Sequence, residues 1–215
     1  MAQLSDDCFA FGGELLGVDQ ALARIGERVV PVVGSETIAL RAAAGRILAR
    51  DLVASMDLPP YANSAVDGYA VAHADLRPER ETELPLGGRA AAGHPLDRPI
   101  RPGEAIRIFT GARMPQGADT VMMQEDCAAA DGRVRMKPGI RKGANRRPAG
   151  EDVAAGETAL AAGRRLGPAE IGLAAALGCH ELAVYRPLRV ALLSTGDEVR
   201  EPGAELPAGA IYDAN

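Results

Sequence analysis

Glycine or proline interrupts this chain about once in every five residues: there are 25 glycines and 15 prolines among 215, against roughly one in eight in average proteins. The excess has no period and runs the whole length, which excludes a collagen repeat and points to short elements joined by many tight turns. Aromatic residues make up 3% and tryptophan is absent, so the core has to be built from Val, Leu, Ile and Ala.

Residues 1–17 show no periodic element. Residues 18–29 place Val18, Leu22, Ile25 and Val29 on one side with Gln20, Arg24 and Arg28 opposite, the pattern of an amphipathic helix that Pro31 stops. A short strand is expected over 36–40. Leu40, Ala43, Ala44, Ile47 and Leu48 then recur at helical spacing through 41–54. From residue 57 to about 150 the chain reads as short strands and turns, with strands expected over 69–72, 105–109, 120–124 and 133–137. Asp131-Gly132 suits a hairpin turn between the last two, since both residues tolerate positive φ. Helical signal returns over 168–177, with Pro168 in the first turn and Gly178 beyond the last. The apolar run 188–193 reads as a buried parallel strand opening an α/β sheet. Asp213 and Asn215 suit the N-cap of a following helix, so the chain is expected to stop short of a complete α/β domain.

These segments predict an α+β multidomain fold. A helical or mixed domain (18–56 and 153–186) is interrupted by a β-rich domain (57–152), and residues 187–215 begin a truncated α/β domain. The net charge of -5 argues against general nucleic-acid binding. Cys8, Cys127 and Cys179 are an odd, widely spaced set, read as reduced thiols. The N-terminus lacks the basic and apolar regions of a signal peptide, and the mildly apolar stretch 166–179 is too short to cross a bilayer. A cytoplasmic location without membrane attachment is expected.

Four loops concentrate polar groups beside glycine. Asp67-Gly68, after Asn63 and Ser64, is either a plain turn or a carboxylate presented to a ligand or Mg²⁺. Thr110, before Gly111, is either an ordinary strand-end residue or a hydroxyl donor to an oxyanion. Between 133 and 147 there are seven Lys or Arg and no acid. That cluster suits an anionic partner or a basic surface strand. Asn145-Arg146-Arg147 leads on to Gly150-Glu151-Asp152. Ser194-Thr195-Gly196-Asp197-Glu198 places two adjacent carboxylates at an expected strand end, where they can bind Mg²⁺ or cap the next element. His73, His94 and His180 fit no metal spacing, and no Walker-type loop is present, so any chemistry would be carboxylate and metal work.

Together these loops are more specific than any is alone. The run from Pro59-Pro60-Tyr61 through Asn63-Ser64-Ala65-Val66-Asp67-Gly68-Tyr69 resembles a signature of the molybdopterin molybdenumtransferases, the MoeA family. The stretch 107–112, the stretch 117–125, Asn145-Arg146-Arg147 with Gly150-Glu151-Asp152, and the stretches 189–198 and 209–215 are similar, in the family's order. The resemblance implies molybdenum cofactor biosynthesis: molybdenum from molybdate enters adenylylated molybdopterin and AMP is released, with Mg²⁺. It also implies a homodimer, a molybdopterin adenylyltransferase as partner, and a phosphorylated pterin as substrate. By motif position, Asp67, Thr110, Asp152 and Glu198 match the family's active-site residues, with Asp67, Asp152 and Glu198 toward the cation. Ser64, Arg146 and Arg147 are assigned to binding the anionic substrate. Ala62 stands where Asp is frequent in the family and Val66 where Met is. The family's Gly-Gly-Val-Ser loop and Pro-Gly-x-Pro segment are absent, so the piece is expected to be inactive alone. The alternative is a non-catalytic dimerisation or scaffold module of the same family.

Overall fold

Short elements dominate the computed structural model, which describes residues 16–214. In chain order they are α1 (Val18–Arg28), β1 (Ser35–Ala39), β2 (Leu52–Val53), β3 (Asn63–Ser64), β4 (Gly68–Val71), β5 (Thr82–Ala90), β6 (Ala105–Ile108) and β7 (Thr120–Met123). Then follow β8 (Cys127–Ala130), β9 (Arg133–Met136), β10 (Arg146–Arg147), β11 (Thr158–Leu160), α2 (Pro168–Ala176), β12 (Glu181–Tyr185), β13 (Val199–Arg200) and β14 (Ile211–Tyr212). The architecture is mostly β. The largely helical flanks expected from the sequence reduce to α1 and α2, because much of the apolar spacing there serves short strands and bridges. The expectations for residues 1–15, including Cys8, and for Asn215 lie outside the described residues. Among the described residues no helix is long and apolar enough to cross a membrane.

Two compact units divide the chain: Thr37–Val184 form one, and the described residues on either side form the other. The first centres on a six-stranded sheet of order β7-β4-β6-β5-β9-β8. Only β5 and β6 run parallel. Its strands bury both faces in alternation. Tyr69, Val71 and Met122 join a cluster with Val134 and Met136, while Ala70, Ile106, Ile108 and Val121 join another. Full burial of each Ile or Val contributes roughly 2 kcal/mol. The nine-residue β5 joins the two halves. Its first half pairs with β9 and its second with β6, with an irregularity between Leu86 and Gly88. The Asp131-Gly132 turn has φ of 51° and 73°, as a type I′ hairpin requires. It joins β8 to β9, a strand pair formed partly by Cys127–Ala130, which sequence patterning passes over.

A third cluster gathers Ala43, Leu48, Leu166, Ala174, Leu182 and Val184. Here the helix expected over 41–54 does not form. A single 3-10 turn at Leu40–Ala42 ends before Gly45, which sits at φ 78°. Leu48 then donates its N–H to Arg164 O at 2.9 Å, and β2 pairs with β11. Apolar spacing that mimics a helix turn is here the inward side of an irregular, bridged segment. α2 begins as the sequence indicates: Glu170 accepts the Gly167 N–H at 2.9 Å, half of a capping box, and Gly178 follows its end at φ 79°.

In the other unit α1 forms as expected but buries no residue, leaving Val18, Leu22, Ile25 and Val29 exposed. The strand expected over 188–193 is absent. Leu188, Val190, Leu192 and Leu193 are all exposed, Leu193 at 88%. The physical reason is the lack of a neighbouring strand among the described residues, without which an apolar run has no ladder to join. The parallel pair β13 and β14 is the regular structure that follows.

Candidate functional site

Asp67 lies on the loop between β3 and β4, and the loop is shaped by Ser64. The Ser64 hydroxyl, almost fully buried, donates to Val66 O at 2.6 Å and accepts the Val66 N–H at 3.3 Å. Ser64, expected to bind substrate, thus stands behind the loop and folds it. Gly68 opens β4 where β7 passes so close that a Cβ there would lie 1.8 Å from Met122 O. The Asp-Gly pair is therefore more than a turn: the glycine lets two strands approach, and the aspartate projects from their end.

Thr110 follows β6 and closes on that aspartate. Its N–H and its hydroxyl both donate to Asp67 Oδ1, at 2.8 and 2.7 Å. Gly111 donates to Ser64 O at 2.8 Å and Ser64 to Ala112 O at 3.0 Å, which locks the two loops together. The Thr110 N–H above all, then its hydroxyl, holds the Asp67 carboxyl below the usual range, with the Arg107 charge adding to the effect and burial opposing it. Among the described residues no donor occupies Asp67 Oδ2, so an ionised oxygen remains presented to solvent.

Arg146 and Arg147 form β10, which pairs with β3: Arg146 opposite Ser64, Arg147 opposite Asn63. Arg147 donates to Glu151 through Nε and to Asp152 Oδ1 through Nη2 at 2.6 Å. Its pKa is raised by Glu151 and then by Asp152. Asp152 is also fixed through its N–H to Leu58 O at 2.8 Å, and Gly150 through its own to Pro59 O at 3.0 Å. The structure therefore gathers Ser64, Asp67, Thr110, Arg146 and Arg147 on interlocked loops, with Asp152 tethered to Arg147. No direct bond links Asp67 to Asp152. Glu198 belongs to the other unit, where its carboxylate folds over Gly196 and its backbone carbonyl accepts Ile211 N–H at 2.9 Å.

The basic stretch 133–147 turns out to be largely neutralised. Arg133 and Arg135 meet Glu83, Lys137 meets Asp126, Lys142 meets Asp119, and Arg147 meets Glu151 and Asp152. Glu83, Asp119 and Asp126, which precede the stretch, supply most of the partners, and Glu151 and Asp152, just after it, supply those of Arg147. Among the described residues only Arg141 and Arg146 of the seven have no ion pair. Nor do three His, Cys, Asp or Glu among the described residues stand together as metal ligands. Hard carboxylate oxygens such as Asp67 Oδ2 still suit Mg²⁺, which commonly takes one or two protein carboxylates and completes its shell with water and phosphate.

Sequence reasoning quoted Arg107 and Phe109 within the stretch 107–112 but gave them no role, and it did not consider Arg89. Arg107 on β6 lies over the ring of Phe109, the first residue beyond that strand, and Arg89 on β5 reaches the same ring. The available signal was the two-residue spacing of Arg107 and Phe109, which on extended backbone puts both on one face.

A family model described as "MoeA N-terminal region (domain I and II)" matches residues 16–178. The chain belongs to the MoeA family. It is 39% identical over 202 residues to the molybdopterin molybdenumtransferase of Haemophilus influenzae, covering 94% of this chain and 50% of that protein. To molybdopterin molybdenumtransferase 2 of Mycobacterium tuberculosis it is 40% identical over 182 residues, covering 83% and 45%. Among solved structures, a molybdopterin biosynthesis MoeA protein of Pyrococcus horikoshii superposes with a TM-score of 0.77 at 33% identity, covering 89% of this chain and 52% of that one. The chain thus spans about half the length of the relatives it matches. Asp67, Thr110, Arg146, Arg147 and Asp152 all fall inside the MoeA-matched span, and Glu198 outside it.

Proposed function

We propose that the chain serves molybdenum cofactor biosynthesis as the N-terminal part of a molybdopterin molybdenumtransferase. In this reading it helps insert molybdate-derived molybdenum into adenylylated molybdopterin with release of AMP. The observation that carries this reading is the Asp67–Thr110 couple: a carboxylate held ionised by two donors to one oxygen, with the other oxygen presented outward. Asp67 orients a cation or a water toward the phosphoanhydride, and Arg147 keeps the Asp152 carboxylate beside β10 for the same purpose. Arg146, with no acid against it, attracts the anionic substrate. Mg²⁺, when bound at Asp67 and Asp152, supplies charge neutralisation at the phosphates. By its motif position Glu198 is a further active-site carboxylate, and a homodimer in the cytoplasm, receiving substrate from molybdopterin adenylyltransferase, completes the reading.

We also infer a discontinuous domain, 18–56 with 153–186, around a β-rich insertion at 57–152. The β2–β11 pair and the cluster of Leu48, Leu166, Leu182 and Val184 support its 37–56 and 153–184 portions. The six-stranded sheet, drawn wholly from within 57–152, supports the insertion.

A chimera tests the activity. The 215-residue chain alone is expected to release no AMP from adenylylated molybdopterin in the presence of molybdate and Mg²⁺. Joined in frame to the remaining half of the Haemophilus influenzae relative, it is expected to do so, and Asp67→Ala in the chimera is expected to lower the rate by about 100-fold, the scale of a lost positioning or acid–base group. A chimera whose rate is indifferent to Asp67→Ala defeats the assignment.

A further inference from the structure

Arg89 on β5 and Arg107 on β6 are direct cross-strand partners. Like charges set opposite one another weaken a sheet, yet here they stand together. Both guanidinium groups lie over Phe109, each 4.7 Å from the ring centroid, and Arg107 also lies 5.0 Å from the ring of Tyr69. The rings fix the two cations without neutralising them. Arg107 donates to Gly68 O at 3.1 Å and to Gln124 Oε1 at 2.6 Å, both neutral acceptors. Among the described residues the exposed Arg89 side chain makes no hydrogen bond and no ion pair.

The rest of the sheet behaves differently. At the other end of β5, Glu83 is paired with Arg133, and Lys137 at the end of β9 is paired with Asp126. Neutralisation is the rule on this surface, and the Arg89–Arg107 pair is the departure. Its position is also specific. Phe109 immediately precedes Thr110, and Arg107 is bonded to the carbonyl of Gly68, next to Asp67.

We infer that Arg89 and Arg107, held over Phe109, form an oxyanion subsite beside the Asp67–Thr110 couple that takes a phosphate or pyrophosphate group. Two planar guanidinium forks suit the geometry of phosphate oxygens, which lysines at the same places would meet only as point charges. This deepens the functional reading and rests on it for the identity of the substrate: the phosphoanhydride of the nucleotide-capped pterin would lie across the arginines while Asp67 faces it from the side. Molybdate carries the same kind of oxygen, so the two sources must be told apart.

Calorimetric titration of the 215-residue chain with pyrophosphate, AMP and molybdate, each separately at low salt, makes that separation. Pyrophosphate is expected to bind most tightly. Arg89→Gln is expected to weaken it about tenfold, the effect of one lost charge-assisted contact. Arg89→Lys should fall between, and Arg80→Gln, an exposed control, should leave affinity unchanged. Asp67→Asn should bind pyrophosphate at least as tightly, because a repelling charge is removed. Equal affinity of Arg89→Gln and the parent chain, failure of the parent to bind pyrophosphate, or binding of molybdate alone would each overturn the subsite. The functional reading fails by a separate route, through an Asp67→Ala chimera that keeps full activity, and the oxyanion subsite would survive that result.

Discussion

Thr110 gives both of its donors to one oxygen of Asp67, across 43 residues of sequence, while no other described residue bonds the second oxygen. The arrangement is asymmetric by construction: one carboxylate oxygen fixes the loops and the other is free to meet a ligand. The two bonds favour the ionised form, so the folded-state pKa of Asp67 lies below that of the unfolded chain. The stability this contributes is present above the unfolded value and disappears as the pH falls through the folded one. Thr110→Val removes only the hydroxyl donor. It is expected to move the Asp67 pKa upward, toward but not reaching an ordinary aspartate, since the stronger influence of the backbone N–H remains. Carboxyl-carbon NMR titration of parent and variant reads the shift directly, and an unchanged titration midpoint would refute the hydrogen bond.

Glu104 makes a second acid-sensitive point. It is 4% exposed and accepts from Arg98 Nη2 at 3.1 Å and from the Arg101 N–H at 2.7 Å. Arg98 above all, then the Arg101 N–H, lowers its pKa against the opposing effect of burial. Because the folded value is depressed, the contribution is complete above the unfolded glutamate value and is lost on acidification through the folded value. Glu104→Gln is expected to flatten the acid limb of the stability curve and to lower stability at neutral pH. Urea melts at pH 7 and at pH 3 should therefore differ less for the variant than for the parent.

How far the sequence revealed these features depended on range. The Asp131-Gly132 turn, Pro168 and Gly178 were readable because each acts through its own backbone geometry. β5 was not, because Pro85, Gly87 and Gly88 break the strand signal; in the structure they mark the irregularity where its pairing passes from β9 to β6. Gly87 has a packing reason too: a Cβ there would lie 2.0 Å from the Glu104 carboxylate. Leu40, Ala43, Ala44, Ile47 and Leu48 misled in the opposite sense, since period alone cannot separate a short helix from an inward-facing irregular segment. At the site, Asp67 and Thr110 were each recognisable as polar groups beside glycine, but nothing local shows that they bond to each other. The positive charge read from 133–147 was overstated for the same reason, as Glu83, Asp119 and Asp126 lie elsewhere in the chain.

The run 188–193 carries a further expectation. Its apolar side chains are exposed, and among the described residues no backbone hydrogen bond holds the amides of Arg189, Val190, Ala191, Leu192 and Leu193. Hydrogen exchange on the monomeric chain should find these amides close to the rate of an unstructured peptide, while those of Ala70 and Ile106, in the centre of the sheet, should be protected by at least a thousandfold. Comparable protection at both places would mean that the run forms a strand after all.

Gly68 tests whether the approach of β4 to β7 underlies the site. Gly68 opposes Met123 on β7 and Ile108 on β6, so it sits between two strands. An added Cβ would lie 1.8 Å from Met122 O and 2.9 Å from Met122 C, and both are backbone atoms that cannot rotate away. Accommodating it requires β4 and β7 to separate, which strains the pairing that runs from Gly68 to Val71. Gly68→Ala is thus expected to destabilise by about 3 kcal/mol, the upper part of the usual range for overpacking, measured by urea denaturation. The same displacement would move Asp67, whose backbone carbonyl accepts the Gln124 N–H just beyond β7 at 3.1 Å. The lowered titration midpoint of Asp67 should rise together with the loss of stability. A Gly68→Ala protein of parental stability would show that the strands can part without cost, and that the position of Asp67 is not set by their contact.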